Sequence, residues 1–475
     1  MQGSPHIRNY TAKEINGRGA EVFCWVQDNR GMVYIGNAAG IIEFNGKEWK
    51  KIENANNSLV RDMAVDSLGR VYVGASNDFG FLQPDLSGEM KYVSLAKTIL
   101  DQGINFHDIW EIVPTSQGIY FCANKYVFKY FNKKLSVIPV DFLVQDIYRV
   151  NDRLYLPTQT GTCVLEDTTL ISVSSTVSFW LTPWKGEQLL TINGKLGLST
   201  INISSFELKT FESSVNQLLK EEPPFEIDRI DENYFLVATL TDKIIVLSND
   251  GDVVQIIDRQ SGLMNGAIYK VYVDRDKNLW VCMSSGIAKI DINYPLLKFG
   301  ENQNVTSNVL TSCVFNGVCY IGTLDGIYYL PPFDVQKPDD GSKFIKMDVA
   351  TQECWRFQVY NNQLYAVCSE GLWAISGITA KLIYKANGPE RLRRLGISSR
   401  FPDVFFLALK EKLLALKLTP DNKGCMANIV DQFEFPDINK RITKIISDED
   451  GNLWLNTAYD GVYFLRFFDN DLKNY

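Results

Sequence analysis

Two histidines, His6 and His107, are all the imidazole the chain offers to a metal or to a nucleophile. His6 belongs to the N-terminal arm, so a metal-hydrolase or Ser-His-Asp centre would have to be assembled around His107 alone. A simpler role is expected for His107, capping the entry to the third of the chain's repeats. Nine cysteines are scattered without metal-ligand spacing. Cys313 and Cys319 come closest, and neither a second pair nor a histidine accompanies them. Cys122 and Cys282 fall at predicted strand ends, where small apolar side chains fill a core. No glycine-rich loop follows a strand and opens a helix, so no phosphate cradle is expected. No catalytic residue, metal or cofactor is therefore assigned. Aspartate and glutamate total 56, and a carboxylate pair for glycoside cleavage stays open, because the separation that matters is three-dimensional.

Binding chemistry is better supplied. Arg61, Trp110, Tyr148, Trp180, Arg229 and Tyr269 stand at predicted inner-strand starts. Asn77-Asp78-Phe79, Asn124-Lys125-Tyr126, Gln159, Asn193-Gly194-Lys195 and Asp242 lie in loops predicted between second and third strands. Rings stack on the apolar faces of sugars while amides and guanidiniums bind hydroxyls, so this set suits an oligosaccharide or another small polar ligand. The competing use of the same residues is to pack neighbouring sheets together, with the polar loops solvated.

What would position them is a repeat. Asp28-Asn29-Arg30-Gly31 turns into the apolar strand Met32-Val33-Tyr34-Ile35-Gly36, and a second alternating strand follows at Gly40-Ile41-Ile42-Glu43-Phe44. The unit returns as Asp66-Ser67-Leu68-Gly69-Arg70-Val71-Tyr72-Val73-Gly74, a step of 38 residues from Gly31 to Gly69. A period of about 40 residues with several strands per unit is the signature of propeller blades. The recurring aspartates suit turn-capping hydrogen bonds, and Gly36, Gly74 and Gly322 end strands where a side chain would crowd the next sheet.

Eleven units fit the chain: 19–53, 57–95, 106–140, 144–176, 178–214, 224–263, 265–302, 306–348, 351–387, 391–435 and 441–475. Short helices are expected at 94–103 and 213–222. The fourth unit has lost the Asp/Gly turn and keeps only Asn151-Asp152-Arg153. Outer strands are read at 49–52, 91–93 and 296–299, with the last unit ending on its own. Rings hold four to eight blades, so the chain divides into a seven-bladed propeller over 7–302 and four blades of a second, truncated one over 303–475. The isolated strand Ile7-Arg8-Asn9-Tyr10-Thr11 is expected to supply the outer strand of the seventh blade and fasten the ring.

The totals agree with such a fold. At 475 residues the chain exceeds one ordinary core, and 45% hydrophobic residues with 22 Tyr and 27 Phe favour strands. A net charge of −8 argues against a nucleic-acid partner. The most apolar run, 404–418, is broken by Lys410-Glu411-Lys412 and reads as two strands rather than a membrane span.

The repeated turn-and-strand, clearest at Asp448-Glu449-Asp450-Gly451-Asn452-Leu453-Trp454-Leu455 with Gly461-Val462-Tyr463-Phe464, resembles the two-component regulator propeller repeat. Pro5-His6-Ile7-Arg8-Asn9-Tyr10-Thr11 is similar to the mature start of such bacterial sensors. The resemblance spans essentially the whole chain and is weak in units four, five, six and ten. It implies tandem propellers forming the periplasmic, non-enzymatic, ligand-sensing part of an inner-membrane regulator, with the membrane and output segments downstream. It implies a glycan fragment or other small molecule as ligand, and leaves room for a homodimer in the whole protein. The repeat motif fixes no ligand residue. A propeller sialidase would carry Ser-x-Asp-x-Gly-x-x-Trp turns, and Ser447 to Trp454 has the wrong spacing for one. A protein-interaction scaffold and a polysaccharide-acting propeller enzyme remain as alternatives.

Overall fold

The computed structural model describes residues 3–473 apart from 16–19, 55–56, 145, 159–160, 176–178, 194–196, 214, 332–342, 350–351, 387–390, 410–411, 422–423, 436–441 and 460. Two compact units emerge, Gln2–Lys298 and Phe299–Tyr475.

In the first, second and seventh sheets the first strand pair is joined by a turn that writes its own hydrogen bonds. Asp28 Oδ1 accepts from the backbone N–H of Arg30 at 2.8 Å and of Met32 at 3.1 Å. Gly31 between them takes φ +86°, a left-handed conformation that suits glycine. Asp66 repeats the arrangement on Leu68 and Arg70. Asp274 repeats it on Asp276 and Asn278, and also accepts the Trp280 indole N–H at 3.0 Å. The strands that follow, Val33–Asn37, Val71–Ala75 and Leu279–Met283, are buried along their whole length. Sheets packed face to face leave both sides of these strands dry. At Gly36 an added Cβ would lie 2.4 Å from Cys24 Sγ and 2.5 Å from Val60 Cγ1 of the next sheet, which is why this position of the strand carries no side chain.

Among the described residues, the first unit holds seven four-stranded antiparallel sheets, six of them built from consecutive strands. Their innermost strands are Val22–Gln27, Val60–Val65, Ile109–Thr115, Tyr148–Val150, Phe179–Pro183, Pro224–Arg229 and Ile268–Val273. Each touches the next in this order, and the seventh returns to the first, so the sheets close a ring. The seventh sheet is completed by the start of the chain: His6–Thr11 runs antiparallel to Gly286–Asp291. Tyr10 of that strand lies parallel to Trp280 at 6.1 Å and edge-on to Trp49 at 5.5 Å. This closure follows the sequence expectation. The outer strand expected at 296–299 does not form, because the N-terminal strand occupies its place; Lys298 makes only an isolated bridge to Ser4.

In the second unit the innermost strands Val309–Phe315, Cys354–Tyr360, Arg394–Ile397 and Ile442–Ser447 head four sheets, three of four strands and one of three. Among the described residues the last sheet has no outer strand of the kind expected near the chain end. Instead Phe467 turns inward, buried, with its N–H on Asn452 Oδ1 at 2.9 Å. The sequence places the boundary after Asn302, whereas contacts place it after Lys298. Phe299 packs edge-on against Phe344, whose N–H donates to Gln303 O at 2.8 Å, and this ties the connector to the second unit. Helices at Lys97–Leu100 and Val215–Glu221 fall inside the expected segments. All described cysteines are unbridged, and Cys24, Cys122 and Cys282 are buried.

Candidate functional site

The innermost strands share an irregularity that the sequence hides. In five of the seven, the first and third residues pair with consecutive residues of the second strand, leaving the second residue out of register. Those bulged residues are Phe23, Arg61, Trp110, Phe225 and Tyr269. A bulge adds one residue to a strand and re-aims its side chain. The result is a row of large side chains at the strand starts. The fifth inner strand shifts register across Trp180 and Leu181, and the fourth shows no shift.

Four of the bulged residues, from the seventh, first, second and third sheets, form one contiguous rim. The Tyr269 ring stacks on Phe23 at 5.0 Å and 18°. The Arg61 guanidinium lies 5.1 Å from the Phe23 ring centre and 4.8 Å from that of Trp110, within cation–π reach. Polar groups hold these planes in place. Arg61 Nε donates to Asp108 Oδ2 at 3.2 Å, and the Ser76 hydroxyl donates to the other carboxylate oxygen. The Trp110 indole N–H donates to Asn124 Oδ1 at 2.7 Å, and the Tyr269 hydroxyl to Glu21 at 2.8 Å. Burial, then Glu21, raises the Tyr269 hydroxyl pKa. Trp110 remains 37% exposed. The rim therefore offers an open indole face beside a fixed guanidinium, carboxylates and an amide.

Beneath the rim the third residues of the inner strands meet. Lys270 reaches from the seventh sheet to Glu111 of the third at 3.0 Å and to Asp62 of the second at 3.3 Å. Asp62 also accepts the Ile112 N–H at 2.7 Å, and Glu226 accepts that of Val271 at 2.9 Å. Asp146 and Asp228 feel the Lys270 charge as well. Burial dominates these carboxyls: it pushes Glu111 and Glu226 up to about 8 and Asp228 up to about 6, and raises Asp62 and Asp146. Lys270 is held well above its usual value; its burial is outweighed by Asp62 and Glu111. Such a cluster keeps protons near neutrality and costs stability as it ionises. Among the described residues, no group of three or more His, Cys, Asp or Glu side chains could hold a metal ion.

No protein-family profile matches the chain, and no curated protein matches it. Solved structures do. The extracellular domain of a putative hybrid two-component system from B. thetaiotaomicron is similar over 97% of this chain and 73% of that one, at 13% identity and a TM-score of 0.65. The extracellular domain of a putative one-component system from the same organism covers 96% of this chain and 65% of its own, at 15% identity and a TM-score of 0.46. Virginiamycin B lyase from Staphylococcus aureus covers 60% of this chain and 97% of its own, at 14% identity and a TM-score of 0.46. The fold is all-β, a tandem of β-propellers.

Within the first propeller, the residues singled out in the sequence separate into groups. Arg61, Trp110, Tyr269 and Asn124 come together at the rim. Trp180 stands half-buried at the fifth blade's register shift, with φ +54°. Asn77 is exposed on the adjoining loop, its N–H on the His107 carbonyl at 2.7 Å, and this is how His107 ties the third blade to the second. Lys125 is exposed, and its carbonyl takes the Val140 N–H. Asp78 and Phe79 are not loop residues. The third strand begins at Asp78, which pairs with Ala75 and receives the Ser94 hydroxyl at 2.6 Å while buried. Phe79 is fully buried against Phe106, Phe121 and Phe128. Tyr126 extends that stack, 5.9 Å from Phe128, and Tyr148 packs with the core between the fourth and fifth blades. Arg229 lies at the far end of its strand, because that strand begins at Pro224. There it donates to the carbonyls of Asp231, Pro183 and Trp184. Asn193 ends the strand Gln188–Asn193; its side chain, Gln159, Gly194 and Lys195 lie outside the described residues.

The sequence reading missed Phe23, Glu21, Asp108 and Ser76. Asp108 was in principle visible, two residues before Trp110; Phe23, in an unbroken apolar strand, was not. Two clefts lie elsewhere, one of about 690 Å³ beside Trp184 and Phe211 and one of about 710 Å³ beside the Asp28 and Asp66 turns.

Proposed function

We propose that this chain is the ligand-sensing region of a bacterial two-component-type regulator, working in the periplasm, and that it binds a glycan fragment or similar hydroxyl-rich molecule without transforming it. The observation that carries the reading is the rim of the first propeller. Planar faces from Phe23, Trp110 and Tyr269 alternate with the guanidinium of Arg61 and the acceptors Asp108, Asn124 and Glu21. Stacking a sugar's apolar face on Trp110 while these polar groups meet its hydroxyls is the division of labour such ligands require. The likeness of nearly the whole chain to the extracellular domain of a putative hybrid two-component system supports the sensing role.

Signalling in this reading needs a ligand with unequal affinity for two states of the receptor. The domains in question are a seven-bladed propeller over 7–302 and further blades over 303–475, in a receptor whose output lies in other segments and which can act as a homodimer. A thermal-shift screen of the chain against defined oligosaccharides, with each mixture analysed for products, tests it. A ligand that binds only the folded chain raises its melting temperature by mass action. The expected result is a shift with one glycan class and no products; turnover would replace the sensor with an enzyme.

A further inference from the structure

The second unit repeats the architecture of the first rim with different charge. Its bulged residues are Leu310, Trp355 and Thr443, each skipped between paired neighbours. Trp355 stands in a setting that parallels Trp110, with its arginines supplied by the segment after its sheet rather than by the sheet before it. The Trp110 indole is held by Asn124, the residue after the strand Gly118–Ala123. The Trp355 indole is held by Ser369, the residue after Gln363–Cys368, at 2.9 Å. An acid stands two residues before each tryptophan, Asp108 in one case and Glu353 in the other, and each pairs with an arginine of an adjacent blade: Arg61 at 3.2 Å and Arg391 at 2.9 Å. An arginine also covers each indole, Arg61 at 4.8 Å and Arg393 at 4.7 Å.

The difference lies in Arg391-Leu392-Arg393-Arg394. Leu392 is fully buried and anchors the segment, so the flanking guanidiniums gather at the rim. Arg394 Nε bonds the carbonyl of the bulged Thr443. Glu353 is held below the usual carboxylate range: burial raises it, but the Ser369 hydroxyl and then Arg391 and Arg393 outweigh that. Its one negative charge meets Arg391 through Nη1, while the Arg391 side chain stays 58% exposed. A guanidinium carries five donors in a planar fork, a shape that matches a carboxylate.

We propose that the second unit carries a ligand site of its own, built on Trp355 and Arg391, that takes a ring bearing a carboxylate. The ring's apolar face lies on the side of the indole opposite Arg393, and its carboxylate on the outer edge of the Arg391 guanidinium. The first rim, where the one arginine is paired with Asp108 and Glu21 holds the Tyr269 hydroxyl, has no such preference for an anion. The proposal goes beyond the function inferred above and does not require the first propeller to bind anything.

Fluorine NMR of the full chain carrying 5-fluorotryptophan tests it, with D-glucuronate and D-glucose as probes. Trp355→Phe assigns one resonance and Trp110→Phe the other. Glucuronate should move the Trp355 resonance saturably, glucose at least tenfold less tightly. Arg391→Ala, a change at an exposed side chain that leaves the blade intact, should weaken the glucuronate response at least tenfold. Arg391→Lys should restore only part of it, because a point charge replaces a fork. A Trp355 resonance that ignores glucuronate, that answers glucose equally, or that answers glucuronate as well in Arg391→Ala overturns the proposal and leaves these residues as a pin between blades. The Trp110 resonance reads the first rim separately, so failure of one site is distinguishable from failure of the other.

Discussion

The two ends of the inner strands in the first propeller are built on opposite principles. At the turn end, Asp28, Asp66 and Asp274 spend their carboxylate oxygens on backbone N–H groups within their own turn and on the Tyr34, Tyr72 or Trp280 side chain of the following strand. The same residue types recur because the same local geometry recurs. At the bulged end the backbone irregularity recurs but the side chains vary: Phe23, Arg61, Trp110 and Tyr269 are four different residues that touch one another across blades, and Phe225 alone repeats a type. Recurring residues hold the fold, and the non-recurring ones set upon a recurring bulge are free to specialise. The second unit repeats the lesson, with Trp355 at the bulged position and a different charge around it.

This contrast predicts which end controls stability and which controls binding. The largest effect belongs to the turn-and-strand framework. Gly36→Val forces a side chain into Cys24 and Val60, and should cost about 3 kcal/mol or more through overpacking. Asp274→Ala leaves the buried Asn278 N–H and the Trp280 indole without an acceptor, and should cost about 2–3 kcal/mol. Urea unfolding of each variant measures the loss, while ligand affinity of the folded fraction should stay unchanged. Trp110→Ala should reverse the pattern. Affinity for any glycan found by screening should fall tenfold to a hundredfold, about 1.4–2.8 kcal/mol, with unfolding free energy moving by about 1 kcal/mol or less, as is usual for surface sites. Calorimetric titration beside urea unfolding separates the two.

A pH-dependent effect should come from the axis beneath the rim. Glu111, Glu226 and Asp228 have folded pKa values raised above their unfolded ones by burial, to about 8, about 8 and about 6. A raised carboxyl contributes stability that is fully present below its unfolded pKa and is lost as pH rises through its folded pKa. The melting temperature should therefore fall between about pH 4.5 and pH 8.5, and Glu226→Gln should flatten that slope. A profile rising across this interval would contradict the burial of these groups. The smallest effect should be Arg30→Ala. Its pairing with Asp28 at 2.7 Å is on an arginine 56% exposed, and such pairs contribute about 0–1 kcal/mol.

How much of this could be read from the sequence follows from the same contrast. The Asp-x-x-Gly turns were legible because each is closed by hydrogen bonds within a few residues. The fourth unit was harder, because Asn151 and Asp152 both take positive φ, at 48° and 63°, and make the hairpin by another turn type. Asn361 and Asn362 do the same in the ninth unit, at 44° and 56°. Ring closure was legible in a strand with no partner nearby. The rim was legible only where an unusual residue, Arg61, Trp110 or Tyr269, announced itself at a strand start. Phe23 in Val22-Phe23-Cys24-Trp25 reads as one more core residue, since strand alternation has no way to reveal an inserted residue. The same blindness put Asp78 and Phe79 in a loop that ends one residue earlier, and sent Arg229 to the wrong end of a strand that starts at Pro224.

The central claim is that the bulged rim of the first propeller is where ligand binds. The most direct test takes the glycan that gives the strongest thermal shift and measures its affinity by calorimetry for the unaltered chain, for Arg61→Ala with Trp110→Ala, and for Arg30→Ala at the opposite end. The account predicts that the rim variant loses at least a hundredfold in affinity while remaining folded, and that Arg30→Ala binds as the unaltered chain does. Undiminished binding by the rim variant would contradict it.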